Sequence, residues 1–186
     1  MIEEYLSSEE CASIIEMARN KLRPSTVWNV LKGESVVSDY RNSEQGWFRF
    51  HGNELVTLLE RRLSENFKIP EENGEDLQVV HYNIGGYYKS HHDFFEPDVG
   101  RNDVELAKGG QRTLTVLMYL NTVEEGGATF FDKLDLRIKP KTGRAVVWHN
   151  ITNEGKVDHN TLHTAEPVSK GEKWIMTKWF RERKIR

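Results

Sequence analysis

Two histidines and one aspartate of this chain are candidates for a shared metal site. His91 and Asp93 are two residues apart, so in a β-strand their side chains project to the same face, while His92 points the other way. His163 would join them from a strand that returns alongside much later in the chain. Two imidazoles and one carboxylate occupy one face of an octahedral Fe(II) and leave three positions open. The sequence therefore predicts an iron centre, and the alternative is a set of surface or hydrogen-bonded histidines.

Five blocks of sequence around these residues carry a further signal. They are HYNIGGYYKSHHD (81–93), GQRTLTVLMYLN (110–121), EGGATF (125–130), LH (162–163) and GEKWIMTKW (171–179). In residue types, order and most spacings, these blocks resemble the catalytic domain of prolyl 4-hydroxylases. Residues 41–47 are similar to a stretch that precedes the core in that family. The chain is identified as a member of the 2-oxoglutarate and Fe(II)-dependent oxygenases, most similar to the prolyl hydroxylase branch.

The resemblance implies a reaction and its cofactors. It implies that Fe(II), held by the catalytic ligands His91, Asp93 and His163, acts with 2-oxoglutarate and O2 to hydroxylate a peptidyl proline. Succinate and CO2 are then the other products. Ascorbate is expected to rescue iron that becomes oxidised without substrate. The partner implied is a proline-containing peptide or protein.

The resemblance also implies a cosubstrate pocket that contains a buried cation. The far carboxylate of 2-oxoglutarate would lie deep in the fold, where an unpaired charge is costly. Lys173 fits this need, since it alternates with Thr177 and Trp179 onto one face of a strand. Thr177 and Trp179 are expected to wall the same pocket. The alternative for Lys173 is an exposed side chain.

Three hydroxyl groups are carried over from the family as further contacts to 2-oxoglutarate. They belong to Tyr82, Tyr119 and Thr129, each at the position that its motif occupies. A buried Tyr or Thr is often only a satisfied core group. That alternative stays open for Tyr119 and for Thr177.

Contacts to the peptide are expected from Tyr88, Arg112 and Trp179. In the family, residues at the first two positions pack on the substrate and hydrogen bond to its backbone carbonyls, and Trp179 offers a flat apolar surface. For Arg112 the alternative is a surface ion pair. Glu166 departs from the family pattern by adding a carboxylate near His163, which would either select basic peptides or be solvated.

Composition favours one domain over residues 1–186. The chain has 37% hydrophobic residues, which suffices for one well-buried core. Cys11 is the single cysteine and cannot form an internal disulfide.

With no signal peptide or membrane span recognisable in the sequence, we expect a cytoplasmic protein without a membrane partner. The net charge of −3 does not indicate a surface that binds nucleic acid. The oligomeric state is left open.

The fold class predicted is mainly β with flanking helices, a distorted double-stranded β-helix or jelly roll. Residues 1–75 are expected to supply helices that back the sheet, one after a capping box at Ser7 and Glu10 and one after an N-cap at Asn53. Residues 76–182 form the β core, with strand-like runs at 77–82, 86–92, 113–120, 128–131, 136–138, 145–149, 161–168 and 173–182.

Three further segments are interpreted separately. Residues 96–110 are read as an irregular lid or an ordinary loop, and residues 150–160 as irregular. The basic residues 178–186 are read as a solvated terminal strand and tail rather than a polyanion contact.

Two rival functions remain beside prolyl hydroxylation. The first is the same oxygenase chemistry on a different protein side chain or a small molecule. An alkylated nucleic-acid base is disfavoured, because demethylases of that kind use paired arginines where this chain has Lys173. The second is a non-catalytic binding module, which is weakly supported because the iron ligands and the lysine are all present.

Overall fold

The structure is a computed structural model that describes residues 1–29, 34–96 and 102–186. Most of the chain is antiparallel β-sheet. Its helices are α1 (Ser8–Arg19), α2 (Glu54–Phe67) and α3 (Asn102–Gly109), and its strands are β1 (Arg23–Pro24), β2 (Val27–Asn29), β3 (Glu34–Val36), β4 (Arg41–Asn42), β5 (Glu44–Phe48), β6 (Leu77–Tyr82), β7 (Tyr87–His91), β8 (Arg112–Tyr119), β9 (Glu125–Gly126), β10 (Thr129–Phe131), β11 (Leu136–Ile138), β12 (Ala145–His149), β13 (His163–Ala165), β14 (Val168–Lys170) and β15 (Lys173–Arg181).

Two antiparallel sheets form the β core. The larger sheet has the strand order β1-β5-β6-β15-β8-β12, and the smaller has the order β11-β10-β13-β7-β4. Val80, Leu117 and Ile175 of the larger sheet pack in one cluster with Phe131 and Ala165 of the smaller sheet. The two sheets therefore face each other around a shared core, as the predicted jelly roll requires.

The helices α1 and α2 cover the outer face of the larger sheet. Ser7 and Glu10 form the predicted capping box of α1, and the side chain of Asn53 caps α2 by accepting from the backbone N–H of Val56. The buried residues of both helices share a cluster with Trp174 and Met176 of β15. Alternation along β15 thus sends one set of side chains to the helices and the other set to the space between the sheets.

The expectation that residues 1–75 form a helical support is incomplete. Beside α1 and α2, this region contributes β1 to β5. β5 pairs with β6 in the larger sheet, and β4 pairs with β7 in the smaller one. These strands are short, so hydrogen bonds to a neighbouring strand define them better than any pattern in their own side chains. Both sheets consequently extend into the N-terminal region.

The segment 96–110 is partly helical. Residues 97–101 of the predicted lid lie outside the described residues, whereas 102–109 form α3 and not an irregular loop. The side chain of Arg181 holds α3 by donating to the backbone carbonyl of Glu105. In the other segment read as irregular, a β-bridge joins Ile151 to Val157, and a short 3-10 helix spans His159–Thr161.

The reading of residues 178–186 as a solvated strand and tail is wrong for its first part. Lys178 and Arg181 are 0% and 2% exposed. Lys178 forms an ion pair with Glu60 of α2, and Arg181 pairs with Glu75. Acidic partners far away in sequence make it favourable to bury these cations. Within the described ranges, no helix is both long and apolar enough to cross a membrane.

Candidate metal and cosubstrate site

A cavity of about 330 Å³ opens between the two sheets. All the residues predicted for the iron, the cosubstrate and the peptide line this cavity except Tyr119, and they are Tyr82, Tyr88, His91, Asp93, Arg112, Thr129, His163, Lys173, Thr177 and Trp179. They come from both sheets, since β6, β8 and β15 belong to the larger and β7, β10 and β13 to the smaller. The fold therefore brings together residues that are distant in sequence.

His91, Asp93 and His163 converge at one point of the cavity. His163 is the register partner of His91, since β13 pairs with β7. Oδ1 of Asp93 lies 3.8 Å from Nε2 of His91 and 3.9 Å from Nε2 of His163. Ligands about 2.0–2.2 Å from one ion are at most about 4.4 Å apart, so all three atoms can reach a shared metal. The donor set of two imidazoles and one carboxylate fits Fe(II).

Both imidazole rings are held by their other nitrogen. Nδ1 of His91 donates to the carbonyl of Lys89 at 2.8 Å, and Nδ1 of His163 donates to the carbonyl of Thr161 at 2.9 Å. These hydrogen bonds fix the tautomer and leave each Nε2 free to bind metal. The site is thus preorganised at the ring nitrogens.

Two residues that the sequence reading did not single out position the carboxylate. The hydroxyl of Thr115 donates to Oδ2 of Asp93 at 2.8 Å, and the amide of Asn150 donates to the Thr115 hydroxyl at 2.9 Å. Both groups are buried. In the sequence, only the polar Thr115 within the largely apolar strand β8 pointed to such a role. Its hydrogen-bond partners lie in other segments, so the sequence could not identify them. This series of hydrogen bonds from Asn150 through Thr115 to Asp93 leaves Oδ1 of Asp93 directed at the histidines.

Charge in this cluster suits metal binding. Burial, followed by the neighbouring His163, lowers the pKa of His91 to about 3, so its imidazole is neutral near pH 7. Burial would raise the pKa of Asp93, but His163 and His91 outweigh it and the pKa is lowered. A neutral imidazole and an ionised carboxylate are the forms that bind a cation.

Lys173 is a deeply buried amine. It is 1% exposed, and its Nζ has no hydrogen-bond partner among the described residues. Nζ lies 5.2 Å and 5.8 Å from the ring centroids of Tyr82 and Tyr119. Burial lowers the pKa of Lys173 to about 7. A carboxylate in the cavity would supply the missing partner, so the pocket fits the end of a dicarboxylate such as 2-oxoglutarate.

Tyr119 lies behind the cavity wall. Its hydroxyl donates to Oγ1 of Thr129 at 2.7 Å, and Thr129 itself lines the cavity. Because the Thr129 oxygen accepts this bond, its own proton is free to be donated to a ligand. Of the three predicted hydroxyl groups, those of Tyr82 and Thr129 therefore belong to residues that line the cavity, and Tyr119 supports Thr129 from behind.

Arg112 forms a largely buried ion pair instead of a surface one, since the side chains of Arg112 and Glu75 are 19% and 15% exposed. Its guanidinium donates twice to the carboxylate of Glu75, at 2.7 and 2.6 Å, and once to the backbone carbonyl of Asp93 at 3.2 Å. The same group stacks 4.2 Å above the ring of Trp179. Burial would raise the pKa of Glu75, but Arg112 and Arg181 outweigh it and lower the pKa. The planar, charged guanidinium of Arg112 is thus held in place beside the metal ligands.

Tyr88 contacts the metal cluster more closely than the sequence indicated. Its ring stacks on that of His91, with centroids 3.7 Å apart. Arg41, for which the sequence predicted no role, lies over the Tyr88 ring at 4.6 Å from its centroid and also lines the cavity. Arg41 is buried, and the resemblance over residues 41–47 was the only signal for it. At the rim, Glu166 pairs with Arg137 at 2.8 Å instead of remaining only solvated.

Comparison with known proteins agrees with this geometry. Residues 77–181 match the family described as the 2OG-Fe(II) oxygenase superfamily. Two proteins of Arabidopsis thaliana, Probable prolyl 4-hydroxylase 8 and Prolyl 4-hydroxylase 5, are 37% and 36% identical to this chain over 95% of its length. The chain spans 66% and 65% of those two proteins.

A solved structure has a similar fold. It is the viral collagen prolyl hydroxylase of Paramecium bursaria Chlorella virus-1 in complex with 2OG. The TM-score is 0.76 and the sequence identity 31%, and the match covers 97% of this chain and 93% of the viral one. The similarity therefore includes the N-terminal strands and helices as well as the β core.

Proposed function

This chain belongs to the 2OG-Fe(II) oxygenase superfamily, as a prolyl 4-hydroxylase-like member, and we propose that it hydroxylates proline in a peptide or protein. The reaction consumes 2-oxoglutarate and O2 and releases succinate and CO2. The observation that carries the proposal is that the unpaired Nζ of Lys173 and the cluster of His91, Asp93 and His163 open on the same cavity. One end of that cavity suits a carboxylate and the other a metal ion.

Each of these residues has a definite task. His91, Asp93 and His163 would hold Fe(II), which would supply the chemistry that activates O2 with the 2-oxo acid. Thr115 keeps the Asp93 carboxylate directed at the metal position. Lys173 and Thr129 bind and orient the far carboxylate of 2-oxoglutarate, and Tyr119 fixes the Thr129 hydroxyl. Orientation of this kind accounts for much of the rate that an enzyme adds.

The peptide would lie across Trp179 and Arg112. The indole of Trp179 offers a flat apolar surface for the proline ring. Arg112 has N–H groups beyond those that Glu75 and Asp93 accept, and these can donate to backbone carbonyls of the peptide. Tyr88 supports the His91 ring and lines the same cavity from the smaller sheet. The similarity to prolyl hydroxylases of plants and a virus favours proline over other side chains or a small molecule.

Finer expectations also belong to this proposal. Ascorbate would act as the reductant that restores iron after turnover without substrate. The cytoplasmic location, the absence of a membrane or nucleic-acid partner and the extent of the domain stay predictions from the sequence.

The experiment that tests the function measures the product formed from 2-oxoglutarate and the product formed from the peptide. The protein is incubated with Fe(II), 2-oxoglutarate, O2 and a panel of Pro-rich and collagen-like peptides. We expect succinate release that the peptide stimulates, and a mass gain of one oxygen atom that fragmentation assigns to proline. An oxygen on another side chain would move the assignment to the rival substrate class. Absence of any 2-oxoglutarate turnover would favour a binding module.

A further inference from the structure

A second cluster of metal-binding side chains lies beside the one described above. It contains His92, Glu96 and His159, which offer two imidazole nitrogens and one carboxylate oxygen within 4.8 Å of one another. None of the three belongs to the first cluster, although His92 lines the same cavity. The roles proposed for the oxygenase reaction do not include this second cluster.

The ring of His92 is oriented as a metal ligand would be. Its Nε2 donates to the backbone carbonyl of His159 at 3.3 Å. This leaves Nδ1 as the nitrogen with a free lone pair, and Nδ1 lies 3.5 Å from Oε1 of Glu96. A ring nitrogen fixed by a carbonyl is the usual arrangement behind a metal-bound histidine.

Phe94 holds the two imidazoles in place. It stacks on His92 with centroids 4.4 Å apart and meets the ring of His159 edge-on at 5.4 Å. The rings of His92 and His159 lie 5.3 Å apart at 78°. Glu96 and His159 are exposed, so both can rotate the short distance needed to close around an ion.

We propose that His92, Glu96 and His159 form a second metal site that binds a divalent transition metal of the Zn²⁺ type. Two histidines and one glutamate are an established ligand set for Zn²⁺ with one position left open, whereas Ca²⁺ and Mg²⁺ prefer oxygen ligands throughout. A metal bound here would link the segment after β7, which contains His92 and Glu96, to the 3-10 helix His159–Thr161 before β13. The first segment follows His91 directly and contains Asp93, and the 3-10 helix ends two residues before His163.

Counting bound Zn²⁺ tests this site. The protein is dialysed to equilibrium against Zn²⁺, and the metal is measured by elemental analysis in wild type, His159→Ala, Glu96→Gln and the control His149→Ala. His149 is also exposed, but it belongs to neither metal cluster in the described part of the chain. We expect His159→Ala to hold one equivalent fewer than wild type and the control. Glu96→Gln should bind that equivalent at least about tenfold more weakly.

The readout is a difference between proteins, so it does not depend on whether the first cluster holds iron or functions in catalysis. Thermal melting of each variant verifies that the fold is intact. Equal Zn²⁺ content and affinity in wild type, His159→Ala and Glu96→Gln would overturn the proposal.

Discussion

Lys173 is the residue whose environment most directly indicates a ligand. A buried amine without a hydrogen-bond partner is unfavourable unless something binds it. We predict that Lys173→Ala raises the KM for 2-oxoglutarate by about one to two orders of magnitude, since a charge-assisted hydrogen bond contributes about 1.5–3 kcal/mol. Succinate release at varied 2-oxoglutarate measures this. Lys173→Arg is the matched variant and should retain part of the affinity, while an unchanged KM in Lys173→Ala would place the lysine outside the binding site.

The lowered pKa of Lys173 gives a second prediction at this scale. With a pKa of about 7 in the free protein, the amine is protonated below that pH and loses its proton above it. Binding of a carboxylate requires the protonated form, so the affinity for 2-oxoglutarate should fall as pH rises through about 7, approaching tenfold per pH unit. Anaerobic calorimetry across this range measures the effect. Lys173→Arg should abolish it, and the same pH dependence in that variant would assign the titration to another group.

The residues expected to contact the metal or 2-oxoglutarate were chosen from strand alternation and sequence motifs, and His91, Asp93 and Lys173 all line the cavity. Asp93 does so from the segment just after β7, beyond the strand in which its spacing from His91 was interpreted. Thr115 and Asn150 were not predictable, since their role is a contact between segments that only the folded chain brings together.

The pairing of β15 with α2 depends on a buried charge pair. Lys178 and Glu60 are both fully buried and bind each other. We predict that Lys178→Met or Glu60→Met alone lowers the free energy of unfolding by about 3–5 kcal/mol, because each leaves one charge buried without its partner. The double variant should recover much of the loss. Chemical denaturation measures all three, with Glu65→Gln on the exposed side of α2 as the control. Additive losses in the double variant would contradict the pairing.

Elements with strong periodicity were predicted well, and the remainder depended on partners. β6, β12 and β15 lie close to the expected runs, and both helix caps were read from the sequence. β4 and β5 were missed because backbone pairing with β7 and β6 defines them. Lys178 was expected in solvent because its partner Glu60 lies on another element.

At the scale of the whole molecule, we expect peptide binding and the chemistry at the metal to depend on different residues. Arg112→Ala leaves Glu75 paired with Arg181 and removes the plane that stacks on Trp179. We predict that peptide-dependent succinate release falls by about tenfold or more, while the slow release without peptide falls much less. Both rates are measured in wild type and variant. Equal loss of the two would mean that Arg112 supports the core or the cosubstrate pocket instead.

We propose that one site, built on His91, Asp93 and His163, couples 2-oxoglutarate turnover to oxidation of a peptidyl proline. The ratio of hydroxyproline to succinate with a Pro-rich peptide, under labelled O2, tests this coupling in wild type and in His163→Ala. We predict a ratio near unity in wild type with the label in hydroxyproline, and neither product above background in a folded His163→Ala protein. Succinate without hydroxyproline across the peptide panel, or undiminished hydroxylation in His163→Ala, would contradict it.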